Sequence, residues 1–132
     1  MKTSRLVISL GSNTPDGDHT IAKAVQMLRT VFRSVRVTTT LRNPAVGMGK
    51  HSPDFHNALA LVQTTLDESE AKAVCKAMET LSGNTADLRR LGVIVLDADI
   101  VTVDGEVRRE KDYEREYFQK LLPELNIEEQ QD

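Results

Sequence analysis

Cysteine occurs once in these 132 residues, at Cys75; tryptophan does not occur, and aromatic residues make up 4%. A single thiol excludes an intramolecular disulfide and any cysteine-rich zinc site. So few rings leave little for stacking nucleic-acid bases. Basic excess is also missing: the net charge is −3 and the pI is near 5.6, so the electrostatic footprint of a nucleic-acid binder is absent. No apolar run approaches the ~18 residues of a membrane helix. Met1-Lys2-Thr3 leads straight into a strand-like segment rather than a signal sequence. The expectation is a cytoplasmic protein whose partners are neither nucleic acid nor membrane, with its oligomeric state left open. What is present is ordinary globular composition, 39% apolar and 28% charged. It is enough for one domain spanning residues 1–132 to bury a core without disulfide or structural metal.

Residues 5–10 form a β-rich run that stops at the turn signal Gly11-Ser12-Asn13. Residues 14–19 read as a loop with Asp18 as helix N-cap. Ile21, Ala24, Val25, Leu28, Val31 and Phe32 then fall at helical spacing. Residues 35–40 alternate and are β-branched, predicting a second strand. Residues 43–54 hold Pro44, Gly47, Gly49 and Pro53, a long loop and hence a candidate for function. A third strand is predicted over 55–65, with Ala58, Ala60 and Val62 on one face and Leu59 and Leu61 on the other. Asp67 and Glu70 have the spacing of a capping box, and Ala71, Val74, Cys75, Met78 and Leu81 form the stripe of the helix it opens. Gly83 closes that helix, and 84–91 read as a polar loop. Residues 93–101 give the strongest strand pattern, Asp104-Gly105 a turn, 114–125 a short helix and 127–132 a frayed acidic tail. The order β-α-β-β-α-β predicts an α+β, ferredoxin-like sandwich: an antiparallel sheet with two main helices on one face, plus a short C-terminal helix.

Alternate residues of a strand share a face, so Asp97 and Asp99 project together from a run that is otherwise apolar. Two neighbouring carboxylates repel and resist desolvation unless cations or hydrogen bonds compensate them. Oxygen donors of this kind suit Mg²⁺, which takes one or two carboxylates and completes its shell with phosphates and water. A solvated sheet face would explain the bare spacing equally well. Cys75 fits the helix stripe as a buried small hydrophobe, and His19, His51 and His56 lack metal-ligand spacing.

Ile8-Ser9-Leu10-Gly11-Ser12-Asn13, Asn43-Pro44, Asp54-Phe55-His56-Asn57 and Leu96-Asp97-Ala98-Asp99-Ile100 occur in this order. Together they resemble the 6-hydroxymethyl-7,8-dihydropterin pyrophosphokinase family of folate biosynthesis, over about residues 5–105. The resemblance implies a ferredoxin-like fold, ATP and a reduced pterin as substrates, and two Mg²⁺ ions bound with ATP. Asp97 and Asp99 match its metal-binding aspartates. Asn57 and Phe55 match its pterin-contacting pair, and Asn43, Pro44 and Val46 match the segment lining that pocket, with Asn43 in place of the usual threonine. Glu79 and Ile100 fall on the nucleotide side.

The chain departs from the family where phosphate is held. Gly83 is followed by Asn84 rather than arginine, Gly92-Val93-Ile94 stands where the family carries G-P-R, and Lys111-Asp112-Tyr113 replaces its V-P-H. Arg89 and Arg90, with Arg108 and Arg109, are the nearest candidates to supply the missing cations, Arg89 and Arg90 in catalysis and Arg108 and Arg109 at the nucleotide. Two functions stay open: an ATP- and Mg²⁺-dependent pyrophosphokinase using relocated cations, or a weak or inactive paralogue that binds a pterin or nucleotide or serves as an interaction module. An RNA-recognition module of the same topology is disfavoured by the acidic charge and the lack of an aromatic-rich sheet.

Overall fold

Strand β1 (Ser4–Ser12) sits in the middle of the sheet, and its side chains divide by parity. Leu6, Ile8 and Leu10 enter one apolar cluster and Val7 another. The computed structural model describes residues 2–43 and 54–125. Pro44, Val46 and most of the long loop lie outside the described residues, as does the acidic tail.

Strands β4 (Phe55–Thr64) and β5 (Asp97–Val103) flank β1 antiparallel on either side. Strands β2 (Ser34–Val37) and β3 (Leu41–Asn43) both pair with β4, and β6 (Glu106–Val107) pairs with β5. The resulting order is β2-β4-β1-β5-β6. Helix α1 (Gly17–Val31) carries the chain from β1 past β4 to β2, and α2 (Glu68–Leu81) carries it from β4 past β1 to β5. Both lie on one face. Ile21, Ala24 and Leu28 of α1 and Ala71, Cys75 and Met78 of α2 share a core with Leu6, Ile8, Leu10, Ala58, Ala60 and Val62. This is the predicted α+β, ferredoxin-like arrangement. The capping box at α2 also forms, with Asp67 accepting from the Glu70 N–H and Glu70 from the Asp67 N–H.

Several boundaries differ from the expectation. Asp16, not Asp18, holds the N-cap position of α1; Asp18 lies in the first turn. The second strand ends at Val37 because the Thr38 hydroxyl accepts the Leu59 N–H at 2.9 Å, replacing a ladder carbonyl. Pairing resumes as β3, whose last residue, Asn43, is the first of the predicted loop. The polar loop contains α3 (Ala86–Arg90), capped by the Thr85 hydroxyl on the Leu88 N–H. Asp104 (φ 49) and Gly105 (φ 83) both take the left-handed backbone of a tight hairpin, which returns the chain as β6. The helix predicted over 114–125 forms as α5 (Glu116–Leu121) and a 3₁₀ turn (Leu122–Leu125), and a further short helix, α4 (Glu110–Tyr113), precedes it.

The largest difference concerns residues 93–96, which are not strand although their pattern is the strongest. Side chains take their backbone groups instead. Asn13 is buried and receives the Ile94 N–H on Oδ1 at 2.7 Å while donating to the Gly92 carbonyl at 2.8 Å. Asn84 Oδ1 accepts from Val95 N and Leu96 N at 3.0 and 3.1 Å, and its Nδ2 donates to the Leu96 carbonyl at 2.5 Å. Two asparagines thus hold the approach to Asp97.

Loss of Asn84 leaves two amides and a carbonyl without partners. Asn84→Ala is expected to cost about 2–4 kcal/mol, against ~1 kcal/mol for Asp67→Ala, which removes one exposed cap. Urea unfolding of both variants checks the order.

Candidate active site

The sheet face opposite α1 and α2 changes character along its strands. At one end Val7, Leu59, Leu61 and Val101 are covered by Phe118, Leu121 and Leu125 from α5 and the 3₁₀ turn. Toward the other end stand Ser9, Gly11, Asn57, Asp97 and Asp99, which line an open cleft of about 700 Å³. The C-terminal segment walls that cleft. Tyr117 reaches back so that its hydroxyl lies 2.8 Å from Ser9 Oγ.

Register sets the floor. Gly11 lies directly opposite Asn57 on β4 and directly opposite Asp97 on β5. Two strand spacings, roughly 9–10 Å, therefore separate the backbones of Asn57 and Asp97. Gly11 keeps the space between them open, since a Cβ there would stand 3.0 Å from Asn57 Oδ1. In the next row Ser9 faces Asp99. Beyond Asn57, Phe55 pairs with Asn43 of β3, and both line the cleft.

Each carboxylate has a guanidinium beside it. Arg89 Nη2 lies 2.6 Å from Asp97 Oδ1, and Arg109 Nη1 lies 4.0 Å from Asp99 Oδ1. Arg109 owes its place to a bulge: Val7 pairs with Thr102 but Ile8 with Ile100. The carbonyl of the extra residue, Val101, accepts from the backbone N–H of Arg108 at 2.8 Å. Asp112 then ties Arg109 Nε (2.5 Å) to Arg115 Nε (3.5 Å) at the rim. Burial pushes the Asp99 carboxyl up to about 6; Arg109 opposes this, while Asp97, Asp112 and Glu79 add to it. A site that holds negative charge this reluctantly favours an added cation. Its donors are carboxylate oxygens, which fit a hard divalent ion whose shell phosphates complete. Among the described residues no group of three acidic, histidine or cysteine side chains encloses such an ion.

The structure thus gathers Asp97, Asp99, Asn43, Phe55 and Asn57 around one cleft and brings Arg89 and Arg109 to its carboxylates. Other expected residues stand elsewhere. Arg90 pairs with Asp87, and Arg108 with Glu68 and Glu106. Glu79 accepts the Ala98 N–H at 2.9 Å, fastening α2 to β5. Ile100 buries its side chain in the helix-face core. Arg115, Tyr117 and Lys120 line the cleft without having been singled out by sequence. The available signal is the buried pair Phe118 and Leu121, which places Tyr117 and Lys120 on the flank of the same helix.

A family profile described as 7,8-dihydro-6-hydroxymethylpterin-pyrophosphokinase matches residues 7–129. The chain belongs to this family. No curated protein matches it. At the two positions where the resemblance leads one to expect arginine, the residues present are structural: Asn84 clamps the backbone before Asp97, and Ile94 is buried.

The raised Asp99 carboxyl binds its proton more tightly folded than unfolded. Stability therefore falls as pH rises from about 4 through about 6. Asp99→Asn removes the loss: it should gain about 1 kcal/mol at pH 8, discounted for the open edge of the cleft, and nothing at pH 4. Unfolding midpoints without divalent cations read this directly.

Proposed function

We propose that the chain transfers the pyrophosphoryl group of ATP to the hydroxymethyl group of a 6-hydroxymethyl-7,8-dihydropterin, with Mg²⁺. The observation that carries this reading is the row Asn57–Gly11–Asp97. It sets an amide able to read a heterocycle edge and a carboxylate pair able to hold metal-bound phosphates on one floor. Phe55 offers an apolar ring beside that amide.

In this reading the hydroxymethyl oxygen attacks the β-phosphorus, and the bond from that phosphorus to the α–β bridging oxygen breaks. AMP leaves and the hydroxyl proton passes to solvent through the open side. Asp97 and Asp99 would hold Mg²⁺, which supplies charge neutralisation on the triphosphate. Arg89 and Arg109 face those carboxylates and, with Arg115 at the rim, stand in for the arginines absent at 84 and 94. The remaining task of the protein is orientation: the pterin edge at Asn57, the triphosphate at the other end of the floor.

One observation favours a second reading, binding without efficient transfer. Arg109 is ion-paired to Asp112 as well as close to Asp99, and Arg89 is tied to Asp97; each must leave a carboxylate to meet phosphate. Production of AMP from ATP, Mg²⁺ and 6-hydroxymethyl-7,8-dihydropterin separates the two. Turnover supports transfer; pterin and ATP-analogue binding without AMP supports the second reading, and no binding of either rejects both.

Asn57→Ala is expected to weaken pterin binding by about 1–3 kcal/mol in calorimetry. Asp97→Asn or Asp99→Asn should abolish the Mg²⁺ dependence of ATP-analogue affinity. Arg89→Ala should lower kcat by about 10²-fold, the scale of losing one charge-stabilising contact.

A further inference from the structure

Arg109 and Arg115 stand three residues before and three residues after Asp112, one helical turn to either side. Helix α4 carries Asp112, and the turn that follows brings the Arg115 N–H to the Asp112 carbonyl at 3.2 Å. Both arginines therefore reach one carboxylate, each on its own oxygen. Arg109 Nε lies 2.5 Å from Oδ2 and Arg115 Nε 3.5 Å from Oδ1. Asp112 is the enclosed member, its side chain 18% exposed against 50% and 48% for the two arginines. A guanidinium has five N–H groups, four of them on its two terminal nitrogens. The closest approach to Asp112 is through Nε in both arginines, so the terminal nitrogens are left for other partners. Arg109 Nη1 is turned toward Asp99, 4.0 Å away on the cleft floor, and Arg115 itself lines the cleft. Among the described residues Arg115 has no second acidic partner.

The geometry points to Asp112 as a positioning residue for the triphosphate: it holds Arg109 and Arg115 by their Nε sides as a pair, so that their terminal nitrogens meet phosphate oxygens together. The inference rests on the pyrophosphoryl-transfer reading and deepens it, assigning a residue that acts through two others. Two guanidiniums at one rim repel each other, and long exposed side chains spread over many rotamers. A carboxylate between them offsets the repulsion and removes that freedom before the nucleotide arrives. When phosphate binds, Arg109 gives up Asp99 and keeps Asp112. The opposite role, a counter-ion that competes with phosphate for both arginines, carries the opposite sign, since its removal tightens binding.

The test is calorimetric titration with α,β-methylene-ATP and Mg²⁺, without pterin. Asp112→Asn, nearly isosteric, should weaken binding by about 10-fold. Asp112→Glu keeps the charge and should stay within about 3-fold of the wild type. In an Arg115→Ala background Asp112→Asn should cost only about 3-fold, because one arginine is left to position. A merely structural role gives the same cost in both backgrounds. That result overturns the inference, as does unchanged or tighter binding by Asp112→Asn, or an equal loss in Asp112→Glu; each leaves the transfer reading intact. A wild type that does not bind the analogue overturns that reading and the inference with it.

Discussion

The pairing of Gly11 with Asn57 on one side and Asp97 on the other is the constraint on which the site depends. A strand slipped by one residue would send every side chain to the opposite face. Strand β1 is protected against such a slip because both of its faces are buried, Leu6, Ile8 and Leu10 under the helices and Val7 under the C-terminal segment. Two apolar clusters thus fix, at a distance, where two polar side chains stand. The same logic ends the apolar cover where it does. Asp97, Asp99 and Val101 share one face of β5, but Val101 lies in the cluster with Phe118 while the aspartates line the cleft.

Electrostatics and backbone support are divided among different residues here. The segment before Asp97 is held by neutral asparagine amides from Asn13 and Asn84, which fix the backbone without adding charge near two carboxylates. Positive charge comes from elsewhere, from α3 through Arg89 and from the segment after β6 through Arg109 and Arg115. Asp97 and Asp99 can then stand side by side in a partly desolvated floor because their nearest cations come from two separate elements. Phosphate groups and metal ions would compete for the same partners, so ligand binding at this site is an exchange of ion pairs as much as the formation of new ones.

Local patterns made much of this legible. Period-2 alternation separated Ala58, Ala60 and Val62 from Leu59 and Leu61, and the two sets do enter opposite clusters. The Asp67–Glu70 spacing formed its capping box because the box closes within four residues. Asp97, Asp99, Phe55, Asn43 and Asn57 came from motifs, and the fold brings them to one cleft. In two places where the reading failed, a distant side chain had intervened. Residues 93–96 have strand chemistry, yet Asn13, some 80 residues earlier in the chain, takes the Ile94 N–H. Thr38 ends β2 by reaching the Leu59 N–H, 21 residues away.

The sequence by itself determined the order of the main strands and the two long helices, the faces of the long strands and the acidic pair, since these depend on neighbours one to four positions apart. Only the tertiary structure decided which arginines face those acids, that the Asn57 amide donates to Asn43, and that Arg115 and Tyr117 line the cleft. Those contacts join residues from separate elements through β-sheet register, a bulge at Val101 and the docking of a short terminal helix. Register and docking are settled by burying whole faces at once, and no local pattern carries that information.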